Sequence, residues 1–128
     1  MTHRSEYEEQ VAVFQWAEFN LHRLPELELL KGSLVGVNLN IVQASRAKAA
    51  GVKKDYPDIF LPVARGGFHG LFIELKRRDR RDRKGKLRKE YPTKGQHKIL
   101  YALNDQGYLA IWGRGSDFAI AQIELYLK

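Results

Sequence analysis

Asp58, Glu74 and Lys76 are the residues of this chain whose types and spacing could do chemistry. They lie in the stretch from Tyr56 to Lys76, where two apolar runs, Ile59 to Val63 and Leu71 to Leu75, read as strands. Arg65-Gly66-Gly67 and His69-Gly70 supply turn chemistry between them, so a hairpin is expected. Asp58 opens the first strand, and Glu74 and Lys76 lie inside the second. Side chains alternate across a strand, so Glu74 and Lys76 share one face and Ile73 and Leu75 the other. A carboxylate and an ammonium in so apolar a strand are costly to desolvate without compensation. A divalent cation would compensate.

The pattern Asp58, then Glu74-Leu75-Lys76, resembles the PD-(D/E)xK nuclease signature. Gly51-Val52-Lys53-Lys54, Pro57-Asp58-Ile59-Phe60-Leu61-Pro62 and His69-Gly70-Leu71-Phe72-Ile73-Glu74-Leu75-Lys76 narrow it to the VRR-NUC family. So do Gln96, Gly107-Tyr108 and Tyr126-Leu127. The likeness spans nearly the whole chain and is to stand-alone modules of the kind found in phages. It implies an α/β, restriction-endonuclease-like core with a central mixed β-sheet flanked by helices. Two departures stand out. Val37-Asn38-Leu39-Asn40 replaces a usual Pro-Asn-Gly, and Asp55-Tyr56 precedes Pro57 where the family often has Gly. Asp55 is thus a decoy for the metal ligand.

The chemistry implied is hydrolysis of DNA phosphodiester bonds with Mg²⁺ or Mn²⁺. Such ions prefer oxygen ligands. Asp58, Glu74 and the Leu75 main-chain carbonyl are the expected metal ligands, with Glu6 anchoring a second ion or an outer water. Lys76, one pleat beyond Glu74, would hold the nucleophilic water or stabilise the pentavalent state. The resemblance expects an acid from the first helix, and Glu6 with Gln10 matches its Glu-x-x-x-Gln pattern. On residue physics alone Glu6 reads better as an acid in a first helical turn, where the dipole favours it, and the resemblance reverses that preference. The resemblance also gives Gln96 a role in positioning the scissile phosphate or water, although Gln96 also suits a capping box. The catalytic set is then Asp58, Glu74, Lys76, Glu6 and Gln96. Branched DNA such as four-way (Holliday) junctions is the expected substrate. Flap or nicked-duplex cleavage, and a non-catalytic nucleic-acid-binding module with a relic site, are the alternatives.

Charge supports a nucleic-acid partner. The chain carries a net +7, and Arg77 to Lys89 holds nine basic residues against Asp79 and Asp82. The remainder is balanced, so the whole excess follows directly on Lys76. A run this dense suits a phosphate backbone, and it also suits a solvated, mobile loop. Arg77, Arg78, Arg80, Arg81, Arg83, Lys84, Lys86, Arg88, Lys89 and Lys94 are the expected contacts. The 128 residues fit one domain, residues 1–128, and 44% hydrophobic content fits a globular fold. There is no cysteine, hence no disulfide framework, and a zinc site would rest on four scattered histidines. No apolar run approaches the ~20 residues that span a bilayer. The start of the chain lacks the apolar core of a signal peptide. A cytoplasmic protein is expected, in the host cytoplasm if phage-encoded.

The elements that must position these residues follow the order α-β-α-β-β-α-β-α. Ser5 and Glu8 form a capping box for a first helix ending before Pro25. Tyr7, Val11, Phe14, Glu18 and Leu21 fall near its apolar face, with Glu6 and Gln10 flanking and Glu9 almost opposite. A strand is expected over Leu34–Leu39, and a helix over Ile41–Ala50 capped by Asn40 and ended by Gly51. Thr93 and Gln96 open another helix that closes at Gly107. Tyr108–Trp112 is a strand, and Ser116 is expected to cap a last helix. Trp16 lies off the first helix's apolar face, which suggests either a cover from Leu24–Leu30 or a buried contact in a homodimer. The family resemblance favours the homodimer.

Overall fold

Strand β3 (Leu71–Lys76) is buried along its whole length, paired with a strand at each edge and covered by helices on both faces. In this computed structural model, which describes residues 4–33 and 39–128, β1 (Lys31–Gly32), β2 (Ile59–Leu61), β3 and β6 (Leu109–Arg114) form a mixed sheet in the order β1-β2-β3-β6. β2 and β3 are antiparallel, with Ile59 opposite Ile73. The connection closes on Arg65-Gly66-Gly67-Phe68, where Gly66 and Gly67 take φ of 57° and 87°. Two consecutive positive φ values are what a tight hairpin turn demands and only glycine adopts freely. β3 and β6 run parallel, setting Glu74 beside Trp112 and Lys76 beside Arg114.

Alternation along β3 sorts the core into two layers. Ile73 and Leu75, with Ile59 and Leu61, pack against Val13 and Ala17 of α1 (Glu6–Phe19) and Ala119 and Ile123 of α4 (Gly115–Leu127). Phe72 points the other way, onto Leu100 and Leu103 of α3 (Lys94–Asp105), stacked on Phe60 with ring centroids 4.1 Å apart. Glu74 and Lys76 therefore lie on the α3 side. The α/β core with a mixed sheet flanked by helices is the architecture found, and the expected element order is extended by a 3-10 helix after α1 and by two short strands between β3 and α3.

Several expectations are corrected. The expected strand over Leu34–Leu39 falls largely on residues 34–38, which lie outside the described residues; β1 lies earlier, at Lys31–Gly32. The inward face of α1 is Glu9, Gln10, Val13 and Ala17, while Tyr7 is 48% exposed. Apolar count favoured the Tyr7-Val11-Phe14 stripe, but α1 lies against both α4 and β3, and small or charge-paired side chains allow that approach. Trp16 packs on the same core as Leu21, Leu24 and Leu30, so a cover within the chain accounts for it. The cap expected of Ser116 is absent: Arg114 is the N-cap of α4 and makes no side-chain cap bond. The basic run is not a loose loop but a hairpin, β4 (Arg80–Arg81) paired with β5 (Leu87–Arg88). Asp82 holds its turn by accepting from the main-chain N–H of Lys84 and of Lys86, and Gly85 takes φ of 77°. The capping boxes of Ser5, Asn40 and Thr93 all form. Among the described residues no helix is long and apolar enough to cross a membrane.

Candidate active site and nucleic-acid interface

The β2–β3 register, continued by one residue, sets Asp58 against Glu74. Both are buried, at 4% and 1% exposure. The Asp58 carboxylate accepts the Leu75 main-chain N–H at 2.7 Å, which fixes it across the strand pair. Glu6, in the first turn of α1, joins them, and one carboxylate oxygen from each of Glu6, Asp58 and Glu74 lies within 4.8 Å of the others. Lys76 Nζ is 3.8 Å from Glu74 Oε2 and is itself buried. Gln96 closes the expected capping box and also reaches Glu74. Its Oε1 accepts from the Thr93 N–H at 2.8 Å, closing the capping box, while its Nε2 donates to Glu74 Oε2 at 3.3 Å. Asp55 lies apart from the three acids, against Gly95 at the start of α3.

The three acids are electrostatically uncomfortable without a cation. Burial, then the neighbouring Asp58 carboxylate, pushes Glu74 up to about 9. Burial also raises Asp58, against the pull of the Leu75 N–H and Lys76. Glu6 is raised by burial, with Lys76 pulling down and Asp58 and Glu90 pushing up. Glu74 Oε1 is buried and has no hydrogen-bond partner among the described residues. An orphaned buried carboxylate oxygen among convergent acids is the donor set a hard divalent cation takes. The residues present therefore fit such an ion. One lysine cannot neutralise three acids, and its 3.8 Å separation from Glu74 is long for a hydrogen bond.

Glu9, expected to face away, is fully buried at a different junction. Its Oε2 accepts from Arg78 Nε at 2.7 Å, and its Oε1 accepts from the Ser116 N–H at 3.1 Å and from Arg4 at 3.4 Å. The carboxylate of α1 thus caps the N-terminus of α4, where the helix dipole favours it. Burial pushes Glu9 up, but Arg78 and the Ser116 N–H outweigh it and hold the carboxyl below its ordinary range. Sequence reasoning missed this because the partner, Arg78, is recruited from beyond β3. The Arg78 guanidinium is thereby engaged with Glu9, Ser116 and Asp117 rather than standing in the basic hairpin.

The other basic residues divide into two groups. Arg77 and Arg80 approach Glu90 at 4.0 and 3.9 Å, Lys89 approaches Asp79 at 3.7 Å, and Arg88 pairs with Asp82 at 2.9 Å. Arg81 donates to the Gly85 carbonyl. Arg83, Lys84 and Lys86 at the hairpin tip are exposed and make no ion pair among the described residues, and Lys94 at the start of α3 is in the same position. The paired cations shape the hairpin, and Arg83, Lys84, Lys86 and Lys94 are the expected contacts left uncommitted among the described residues. Glu90, which touches both the hairpin base and the surroundings of Glu6, carried no sequence signal of its own.

No family model matches the sequence, and nothing matches among curated proteins. A solved structure described as a VRR_NUC domain protein is similar to this chain, with a TM-score of 0.72 and 29% sequence identity over 99% of this chain and 91% of that one. The chain therefore has the VRR-NUC fold, with its restriction-endonuclease-like mixed sheet.

Proposed function

We propose that this chain is a metal-dependent endodeoxyribonuclease that hydrolyses phosphodiester bonds in branched DNA, four-way junctions foremost. The VRR-NUC likeness supports a nuclease domain in general. The observation that carries the reading is the convergence of Glu6, Asp58 and Glu74 around an orphaned carboxylate oxygen beside the Lys76 ammonium. Mg²⁺ or Mn²⁺ held by these acids, with the Leu75 carbonyl as a further oxygen, would supply an activated water and neutralise charge on the phosphate and leaving oxygen. Lys76 lies on the same face and would offset the charge that develops on the phosphate. Gln96 fixes the rotamer of Glu74 through its hydrogen bond while its own position is set by the capping box. Arg83, Lys84, Lys86 and Lys94 bind flanking phosphates without reading sequence.

A homodimer is part of this reading. In α2 (Ile41–Ala49) no residue is buried, and Ile41 and Val42 are 88% and 59% exposed. Apolar side chains on an otherwise basic helix suit a contact with a second copy, which would bring two sites to opposed strands of a junction. Labelled four-way junction, flap, nicked duplex and linear duplex, each with Mg²⁺, Mn²⁺ or EDTA, test the proposal. Paired cuts near the branch point, abolished by EDTA, are expected, with a dimer by light scattering. Equal cleavage of linear duplex would overturn the branch preference. Cutting of flaps alone by a monomer would favour the flap reading.

The hairpin tip gives a separate expectation. Arg83→Ser, Lys84→Ser and Lys86→Ser together weaken binding to all sequences alike, and the salt slope falls by up to ~0.9 for each duplex phosphate that is no longer neutralised. Thermal stability stays within about 0.5 kcal/mol, since exposed charges contribute little to folding. An unchanged salt slope would show the tip to be a solvated turn.

A further inference from the structure

We infer that the solvent face of α3 and the adjoining end of β6 form a stacking ledge for unpaired DNA bases next to the three acids. This rests on the nuclease reading and names the substrate feature that the site would select. Lys94, His97, Lys98 and Tyr101 recur at helical spacing on one stripe of α3. Tyr101 is 67% exposed and stacks on His97, with ring centroids 6.1 Å apart and planes at 24°. His97 meets Trp112 edge-on at 6.5 Å, and Trp112 meets Tyr91 at 5.9 Å. The Arg114 guanidinium lies over the rings of both Tyr91 and Trp112, at 4.7 and 5.1 Å from their centroids. The result is a continuous row of rings and cations from the hairpin base to the middle of α3. Both of its terminal rings are open to solvent, Tyr91 at 61% and Tyr101 at 67% exposure.

The middle of the row lies beside the candidate site. Trp112 is the register neighbour of Glu74, and His97 follows Gln96, whose amide touches Glu74. The rings at its ends stand mostly in solvent, and among the described residues the aromatic partner of Tyr101 is His97. Lys98 is exposed and has no acidic partner among the described residues. Aromatic faces interleaved with cations suit a single strand, whose bases stack while its phosphates are neutralised. A paired duplex offers no free base faces to such a surface. A branch point or a frayed end does. The ledge would hold an unpaired segment so that an adjoining phosphate lies over the three acids.

Anisotropy titrations in EDTA, with a labelled 20-nucleotide single strand and the blunt duplex of the same sequence, test this without cleavage. Tyr91→Leu with Tyr101→Leu is expected to weaken single-strand binding at least tenfold and duplex binding less than threefold. Tyr91→Phe with Tyr101→Phe is expected to bind as wild type, since the rings remain. Leu variants that bind the single strand as tightly as wild type would overturn the ledge, as would Phe variants as weak as the Leu variants. If wild type then cuts branched DNA with Mn²⁺, the ledge alone fails. If wild type binds neither DNA form and cuts none, the nuclease reading fails with it.

Discussion

Asp58→Asn and Glu74→Gln each lower cleavage by roughly 10³-fold, equivalent to about 4 kcal/mol of transition-state stabilisation. Each keeps the side chain's shape and removes an ion-binding carboxylate from the cluster of Glu6, Asp58 and Glu74. Glu6→Gln has the same sign. Binding to DNA is retained in each variant, because the isosteric change leaves the basic surface untouched. Glu74→Gln has a second signature. The folded-state pKa of Glu74, at about 9, lies above its unfolded value, so the folded chain holds a proton that the unfolded chain releases. Without metal, stability therefore falls as pH rises from the ordinary carboxylate range towards 9. Glu74→Gln removes that loss, so at pH 8 the metal-free variant melts higher than metal-free wild type. Thermal melts with and without EDTA read this directly. Wild-type cleavage rates in either variant would sink the assignment.

Glu9→Ala is the most damaging change for the fold. It strips the cap from α4 and leaves the Ser116 N–H and the Arg78 guanidinium without their carboxylate. Loss of one partner from such a buried arrangement costs about 2–4 kcal/mol, reduced from the fully buried case because Arg78 is 45% exposed. Against a typical stability of about 5–15 kcal/mol this is a large fraction. Since the carboxyl is held below its ordinary range, the stability it contributes is present at neutral pH and lost as pH falls through the carboxylate range. Denaturant melts of Glu9→Ala and Glu6→Gln separate the two acids. Glu9→Ala loses stability but the folded fraction still cuts, whereas Glu6→Gln melts normally and cuts poorly. The reverse pattern would make Glu9 the first-helix acid of the site.

What was legible in the sequence was local or short-range. Capping boxes at Ser5 and Thr93 are fixed by residues three apart, and both form. The β2–β3 hairpin follows from a Gly-Gly turn between apolar runs, and alternation put Glu74 and Lys76 on one face. What was not legible depended on partners distant in the chain. The inward face of α1 is chosen by Arg78 and the end of α4, which let Glu9 go inside and leave Tyr7 out. Ser116 was read as a cap from its type, but Glu9 from another helix performs that task. The basic run looked uniformly charged. Its few acids, Asp79 and Asp82, together with Glu90, lie where they offset cations across a hairpin. The signal was present in Asp82 and Gly85, three residues apart, as a turn inside the charge.

Calorimetric titration of Mn²⁺ into the DNA-free protein at pH 6 and pH 8.5, for wild type and Glu74→Gln, tests the central claim most directly. Ion binding must displace the proton that burial and Asp58 hold on Glu74. The expected result is binding by wild type that is markedly tighter at pH 8.5 than at pH 6, with proton release, and that is lost in Glu74→Gln. Mn²⁺ binding that is indifferent to both pH and Glu74→Gln would contradict the account, as would cleavage that proceeds undiminished in EDTA.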